Sequence, residues 1–101
     1  GRICWQSPAK NIVNLIRGLS PAPAAYTFWK GQALKIFSAG YENGHPENTP
    51  GTLGAVTDSG LTVTAADGYV FLQDVQLAGK KRMAIRDFLR GHQLDPKAIL
   101  D

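Results

Sequence analysis

The chain reads as a mainly β domain, a small five-stranded barrel flanked by an N-terminal and a C-terminal helix. Three observations predict it. The apolar period changes from helical to two near residue 26. Short glycine-containing breaks then separate several brief alternating runs. Helical spacing returns only at the far end, after residue 81.

Ser7 followed by Pro8 is a helix start: serine can accept a bond from the free amides, and proline at the first helical position sacrifices no bond. Ile12, Leu15, Ile16 and Leu19 then recur at helical spacing. The prolines at 21 and 23 end the helix, because residues before proline are pushed out of the α region. Tyr26, Phe28 and Lys30 alternate with Thr27 and Trp29, and a Lys30-Gly31 turn follows. A second strand over residues 32–41 places Leu34, Ile36 and Ser38 on one face and Ala33, Lys35 and Phe37 on the other. Residues 42–49 form a polar loop. Three more strands, over residues 52–57, 61–65 and 69–77, are separated by Asp58-Ser59-Gly60 and Ala66-Asp67-Gly68, hairpin turns with glycine at positive φ. Five strands with a helix at each end suit a partly open barrel of the oligonucleotide-binding (OB-like) kind.

At 101 residues the chain forms one domain, residues 1–101. It is long enough to bury roughly 60 to 70 % of the surface an unfolded chain exposes. The single cysteine, Cys4, excludes an intrachain disulfide, and no run approaches the ~20 apolar residues of a membrane span. A reducing, cytoplasmic setting and a monomer without membrane attachment are the expectation. The chain opens on glycine rather than methionine, and it is read as a piece of a longer protein.

The net charge of +3 conceals a strong segregation. Residues 1–41 hold Arg2, Lys10, Arg17, Lys30 and Lys35 and no acid; residues 42–78 hold Glu42, Glu47, Asp58, Asp67 and Asp74 and no base. Bases then return, five of them within residues 80–90. Such asymmetry implies a polarised surface, one side of which attracts phosphate. A helix over residues 82–90 puts Ile85, Phe88 and Leu89 on one face and Arg82, Arg86 and Arg90 along the neighbouring stripe, with Gly91 as its stop. The aromatic residues Trp5, Trp29, Phe28, Phe37 and Phe88 are expected to pack, and Cys4 to be a buried thiol. His45 and His92 with one distant cysteine make no metal-ligand spacing, so no metal site is expected.

Five blocks in order carry a resemblance that spans nearly the whole chain: W-x-x-P-A-x-x-I-x-N-x-I-R from Trp5, S-P-A-P-A-A-Y-T from Ser20, P-G-T from Pro50, Q-x-x-G-K-K-R-M from Gln76, and D-F-L-R-G from Asp87. Together they resemble the C-terminal domain of the methionyl-tRNA formyltransferases. Ala24 departs from the pattern, where the family has glycine after the second proline.

The resemblance implies a division of labour. An N-terminal catalytic domain of the parent protein would bind formyl-tetrahydrofolate and formylate the methionine on initiator tRNA. The present domain would hold the tRNA in translation initiation. The family's catalytic Asn, His and Asp belong to a block, H-x-S-L-L-P, that this sequence does not contain; no catalytic, cofactor-binding or metal residue is therefore assigned here. The matched basic block implies Lys80, Lys81 and Arg82 as tRNA contacts. The helical stripe adds Arg86 and Arg90, and Arg17 and Lys35 are further candidates. Two alternatives stay open: a scaffolding domain of another formyltransferase, of the nucleotide-sugar or formyl-folate dehydrogenase type, and an interaction domain that packs on a protein partner.

Overall fold

The computed structural model describes residues 1–95 and 98–101. Its elements are α1 (Ala9–Leu19), β1 (Ala25–Trp29), β2 (Gln32–Asn43), β3 (Leu53–Thr57), β4 (Gly60–Thr64), β5 (Gly68–Leu77), β6 (Met83–Ala84) and α2 (Ile85–Gly91). The fold is mainly β, as the alternation predicts. The strands form one antiparallel sheet in the order β1-β2-β5-β4-β3. The first half of β5 pairs with β4, and Asp74 and Val75 further along pair with the two-residue β6.

The expected barrel is not closed by strand pairing: β1 and β3 are the two ends of the order. The reason is that residues 98–101 hydrogen-bond to both edges. Leu53 N donates to Ala98 O and Leu100 N to Gly51 O, each at 2.9 Å. On the other side Phe28 N donates to Asp101 O at 3.1 Å and Asp101 N returns a bond to Phe28 O at 3.0 Å. The start of the chain covers the rest of the β1 edge, with Tyr26 N donating to Gly1 O and Ile3 N to Tyr26 O. Few β1 amides are thereby left to template another strand.

One core joins these layers. Trp5, Ile12, Val13 and Ile16 meet Ile36, Val63, Val70, Leu72 and Val75 of the sheet, with Phe88 and Leu100 in the same cluster. Each such side chain contributes roughly 1.5–3 kcal/mol by leaving water. Thr27 is a fully buried hydroxyl in this region. It accepts from the Trp5 indole Nε1 at 3.0 Å and donates to Asp101 O at 2.6 Å.

Several local expectations are corrected. Ser7 does not cap α1; the N-cap position is Pro8, and the Asp67 carboxylate, from the β4–β5 turn, accepts a bond from Ala9 N at 2.8 Å. An acid there also faces the positive end of the helix dipole. Gly68 lacks a positive φ; glycine is required because a Cβ would strike the Glu42 carbonyl oxygen across the ladder. Gly91 ends α2 as a helical residue, and His92 follows in extended geometry. Cys4 is exposed, because Ile3 and Trp5 on either side turn into the core. Ala24 holds φ 72, a left-handed value that glycine adopts without Cβ strain, and this is the position where the sequence departs from the glycine of the family pattern.

Thr27→Val should destabilise the domain by about 1–3 kcal/mol in urea denaturation, since it strands the buried Trp5 donor with little change in side-chain volume. A loss below about 0.5 kcal/mol would show that water replaces the hydroxyl. In the β1–β2 turn both Lys30 (φ 51) and Gly31 (φ 76) are left-handed, the type I′ geometry that favours Asn-Gly. Lys30→Asn should therefore raise stability by about 0.5–1 kcal/mol, read from the same denaturation curves.

Candidate nucleic-acid interface

The two faces of β1 and β2 differ completely. Ala25, Thr27 and Trp29 of β1, and Leu34 and Ile36 of β2, are buried. The alternate positions face outward: Tyr26 and Phe28 half-buried, Lys35 exposed, Phe37 half-buried. Antiparallel register lines up Tyr26, Lys35 and Gln76 across three strands and places Phe28 opposite Ala33. Directly opposed residues share a face, so this is one continuous surface. A register shift between Ile36 and Ser38 makes Phe37 the extra residue of a β-bulge, a device that re-aims a side chain.

Arginines lie over these rings. The Arg2 guanidinium carbon is 4.9 Å from the Phe28 ring centroid, and that of Arg82 is 4.2 Å from Phe37. Arg82 is held from the side as well: its Nε donates to Asp74 Oδ2 at 2.7 Å, and its Nη2 pairs with the same oxygen. Tyr26 meets Phe28 edge-on, with centroids 5.7 Å apart. Beyond Gln76, Lys80 and Lys81 lie exposed on the β5–β6 connection, and the Gln76 amide donates to Lys80 O at 2.8 Å. Ala33, Lys35, Gln76 and Gly79 border a shallow groove of about 270 Å³ there.

The structure thus brings together Lys35, Lys80, Lys81 and Arg82 of the expected residues. Arg86 and Arg90 have other surroundings. Arg82 precedes α2 instead of lying on it, because the chain from Met83 first pairs with β5 and turns helical only at Ile85. The arginine stripe is consequently broken. Arg86 lines a separate groove with Asp58, Ser59 and Gln73. Arg90 pairs with Asp87 at 3.2 Å on an exposed surface. Arg17 lies in the last turn of α1.

Of the aromatic residues expected to pack, Trp5, Trp29 and Phe88 are buried, and Trp29 meets Phe88 edge-on at 5.6 Å. His92 stacks on Phe88 at 4.4 Å with its Nδ1 3.1 Å from Phe88 O, as a neighbour of the helix-terminal carbonyls. Phe28 and Phe37 are only half-buried and belong to the outer face. Arg2 and Tyr26 are members of that face absent from the expected set. The alternation of Tyr26 and Phe28 with Thr27 and Trp29 carries their signal in the sequence. The cross-strand register that assembles the face leaves no such trace.

Fold and face together define the class, a small mainly β domain with a basic, aromatic sheet surface. More particularly, the chain belongs to the formyl transferase C-terminal domain family, whose model matches residues 1–93. It is 54% identical over 101 residues to the methionyl-tRNA formyltransferase of Syntrophus aciditrophicus (strain SB), covering 99% of this chain and 32% of that protein. It is 39% identical to that of Geotalea uraniireducens (strain Rf4), with 99% and 31% covered, and 36% identical to that of Clostridium acetobutylicum, with 99% and 32% covered. The chain therefore spans about a third of the length of these relatives.

Arg82→Ala should lower stability by about 1 kcal/mol, the sum of a modest cation–π interaction and a partly exposed ion pair. Arg90→Ala should change it by less than about 0.5 kcal/mol, since a surface i,i+3 pair contributes little. Thermal melts of the two variants side by side check the contrast.

Proposed function

We propose that this domain binds tRNA without performing chemistry on it, positioning charged initiator tRNA for N-formylation of methionine by the N-terminal domain of a parent methionyl-tRNA formyltransferase. In that parent, formyl-tetrahydrofolate would be the donor, and the setting would be translation initiation in the cytoplasm. The observation that carries the reading is the clustering of Arg2, Lys35, Lys80, Lys81 and Arg82 on and beside one sheet face. A domain that only positions its ligand needs phosphate contacts more than base readout, and bases on a rigid sheet supply them. The names of the relatives agree with this assignment. No helix among the described residues is long and apolar enough to cross a membrane.

Two experiments test the proposal. Replacing Lys35, Lys81 and Arg82 together by alanine should weaken binding of unrelated tRNAs about equally and make the salt slope shallower by roughly 2–3 units, about one for each phosphate no longer neutralised. Replacing Arg86 and Arg90 should leave the slope within about half a unit of the unaltered domain. The reverse ranking would move the interface to α2. Absence of any tRNA binding at low salt would favour the scaffolding alternative. Separately, the domain mixed with charged initiator tRNA and formyl donor should give no formyl-methionine above a buffer control; turnover would overturn the non-catalytic assignment.

A further inference from the structure

Phosphate contacts do not account for the aromatic part of the sheet face. Three rings, Tyr26, Phe28 and Phe37, stay partly open to solvent on the side away from the core. Two of them already carry a flat guanidinium, Arg2 over Phe28 and Arg82 over Phe37. Tyr26 touches Phe28 only with ring edge against face, at an interplanar angle of 88°. Lys35 stands in register beside it. Rings and guanidinium planes interleaved with cations form a surface on which unpaired bases stack while their phosphates are neutralised.

We propose that the outer face of β1, β2 and β5 is a stacking platform for an unpaired RNA segment, with Tyr26 as a principal stacking ring and Lys35 and Arg82 as its phosphate contacts. The proposal rests on the tRNA-binding reading and narrows it to single-stranded RNA. Charge complementarity selects the occupant. Cations outnumber acids around the rings on this face: Asp74 is engaged by Arg82, and Asp101, exposed at the β1 edge, lines a pocket with Arg2. An A-form duplex keeps its bases stacked inward and offers only its backbone and groove edges, so it leaves the rings unused.

The test compares two labelled probes of about eight nucleotides, a length within the range one small β domain accommodates: oligoadenylate, and the same ribose-phosphate backbone without bases. Fluorescence anisotropy over a salt series reads affinity and slope together. Oligoadenylate should bind the unaltered chain about tenfold more tightly than the abasic strand, with the same salt slope, as one stacked base implies. Tyr26→Leu should remove most of that preference, and Tyr26→Phe should restore it. Equal affinity for the two probes in the unaltered chain would overturn the platform while leaving the phosphate reading intact. A preference that survives Tyr26→Leu undiminished would also overturn it, since the bases would then stack elsewhere. If neither probe binds at low salt and tRNA is not bound either, the stacking proposal and the tRNA reading fall together. The comparison of probes on the unaltered chain needs no substitution, so an unfolded Tyr26→Leu variant would not shelter the proposal.

Discussion

The register of β1 is the constraint on which the rest depends, and the Thr27 hydroxyl fixes it. Three distant parts of the chain converge there: the Trp5 indole, the strand, and the Asp101 carbonyl. A buried hydroxyl costs free energy unless its hydrogen-bonding roles are used, and here it both donates and accepts. Period two then propagates the consequence. With Thr27 inward, Ala25 and Trp29 must also face the core, and Tyr26 and Phe28 must face out. A slip by one residue would bury the tyrosine and expose the tryptophan. The outer face is thus the necessary complement of the core packing.

Charge follows the same logic of placement. The acids of residues 42–78 look like a neutral counterpoise in the sequence, yet two have particular structural duties. Asp67 satisfies the first amide of α1. Asp74 aligns the Arg82 guanidinium over Phe37, which turns a flexible cation into an oriented plane. Because the guanidinium is already held, less side-chain freedom remains to be lost when a ligand arrives. Lys80 and Lys81 differ: they are point charges on an exposed connection, suited to steering over distance.

How much of this is legible in the sequence depends on how far each signal reaches along the chain. Alternation is local, so the five main strands and the division of β1 and β2 into two faces can be read from it, whereas which face turns inward cannot: Phe28 and Trp29 look equally fit to pack. The basic cluster from Lys80 to Arg82 is visible as well. β6 escapes such a reading because two residues carry no period, and its omission misplaces Arg82 onto a helix that begins three residues later. The cap of α1 comes from Asp67, 58 positions away, whereas Ser7 gives a persuasive local cue. Residues 98–101 seal the sheet edges by backbone bonds that any sequence could make, which is why alternation alone points to a partly open barrel and does not show what covers its edges. Ala24 is the opposite case: the family pattern marks a glycine position, and the structure supplies the cause as a left-handed φ of 72. There the Ala24 amide donates to Leu19 O at 2.9 Å, tying the end of α1 to the start of β1.

The difference between the sheet face and α2 bears directly on where a polyanion would dock. Counted as a string, α2 carries two bases, Arg86 and Arg90, against one acid, Asp87. In space its arginines have acid neighbours: Arg90 pairs with Asp87, and Arg86 shares a groove with Asp58. Acids so close lower the potential a distant phosphate experiences, most of all at low salt where screening is weak. On the sheet face two acids, Asp74 paired with Arg82 and Asp101 at the β1 edge beside Arg2, stand against five cations, Arg2, Lys35, Lys80, Lys81 and Arg82. The sheet face thus keeps an excess of positive charge beside its rings. Electrostatic attraction and stacking surface coincide there and separate on α2, which makes the sheet the more effective place to hold a flexible, negatively charged chain.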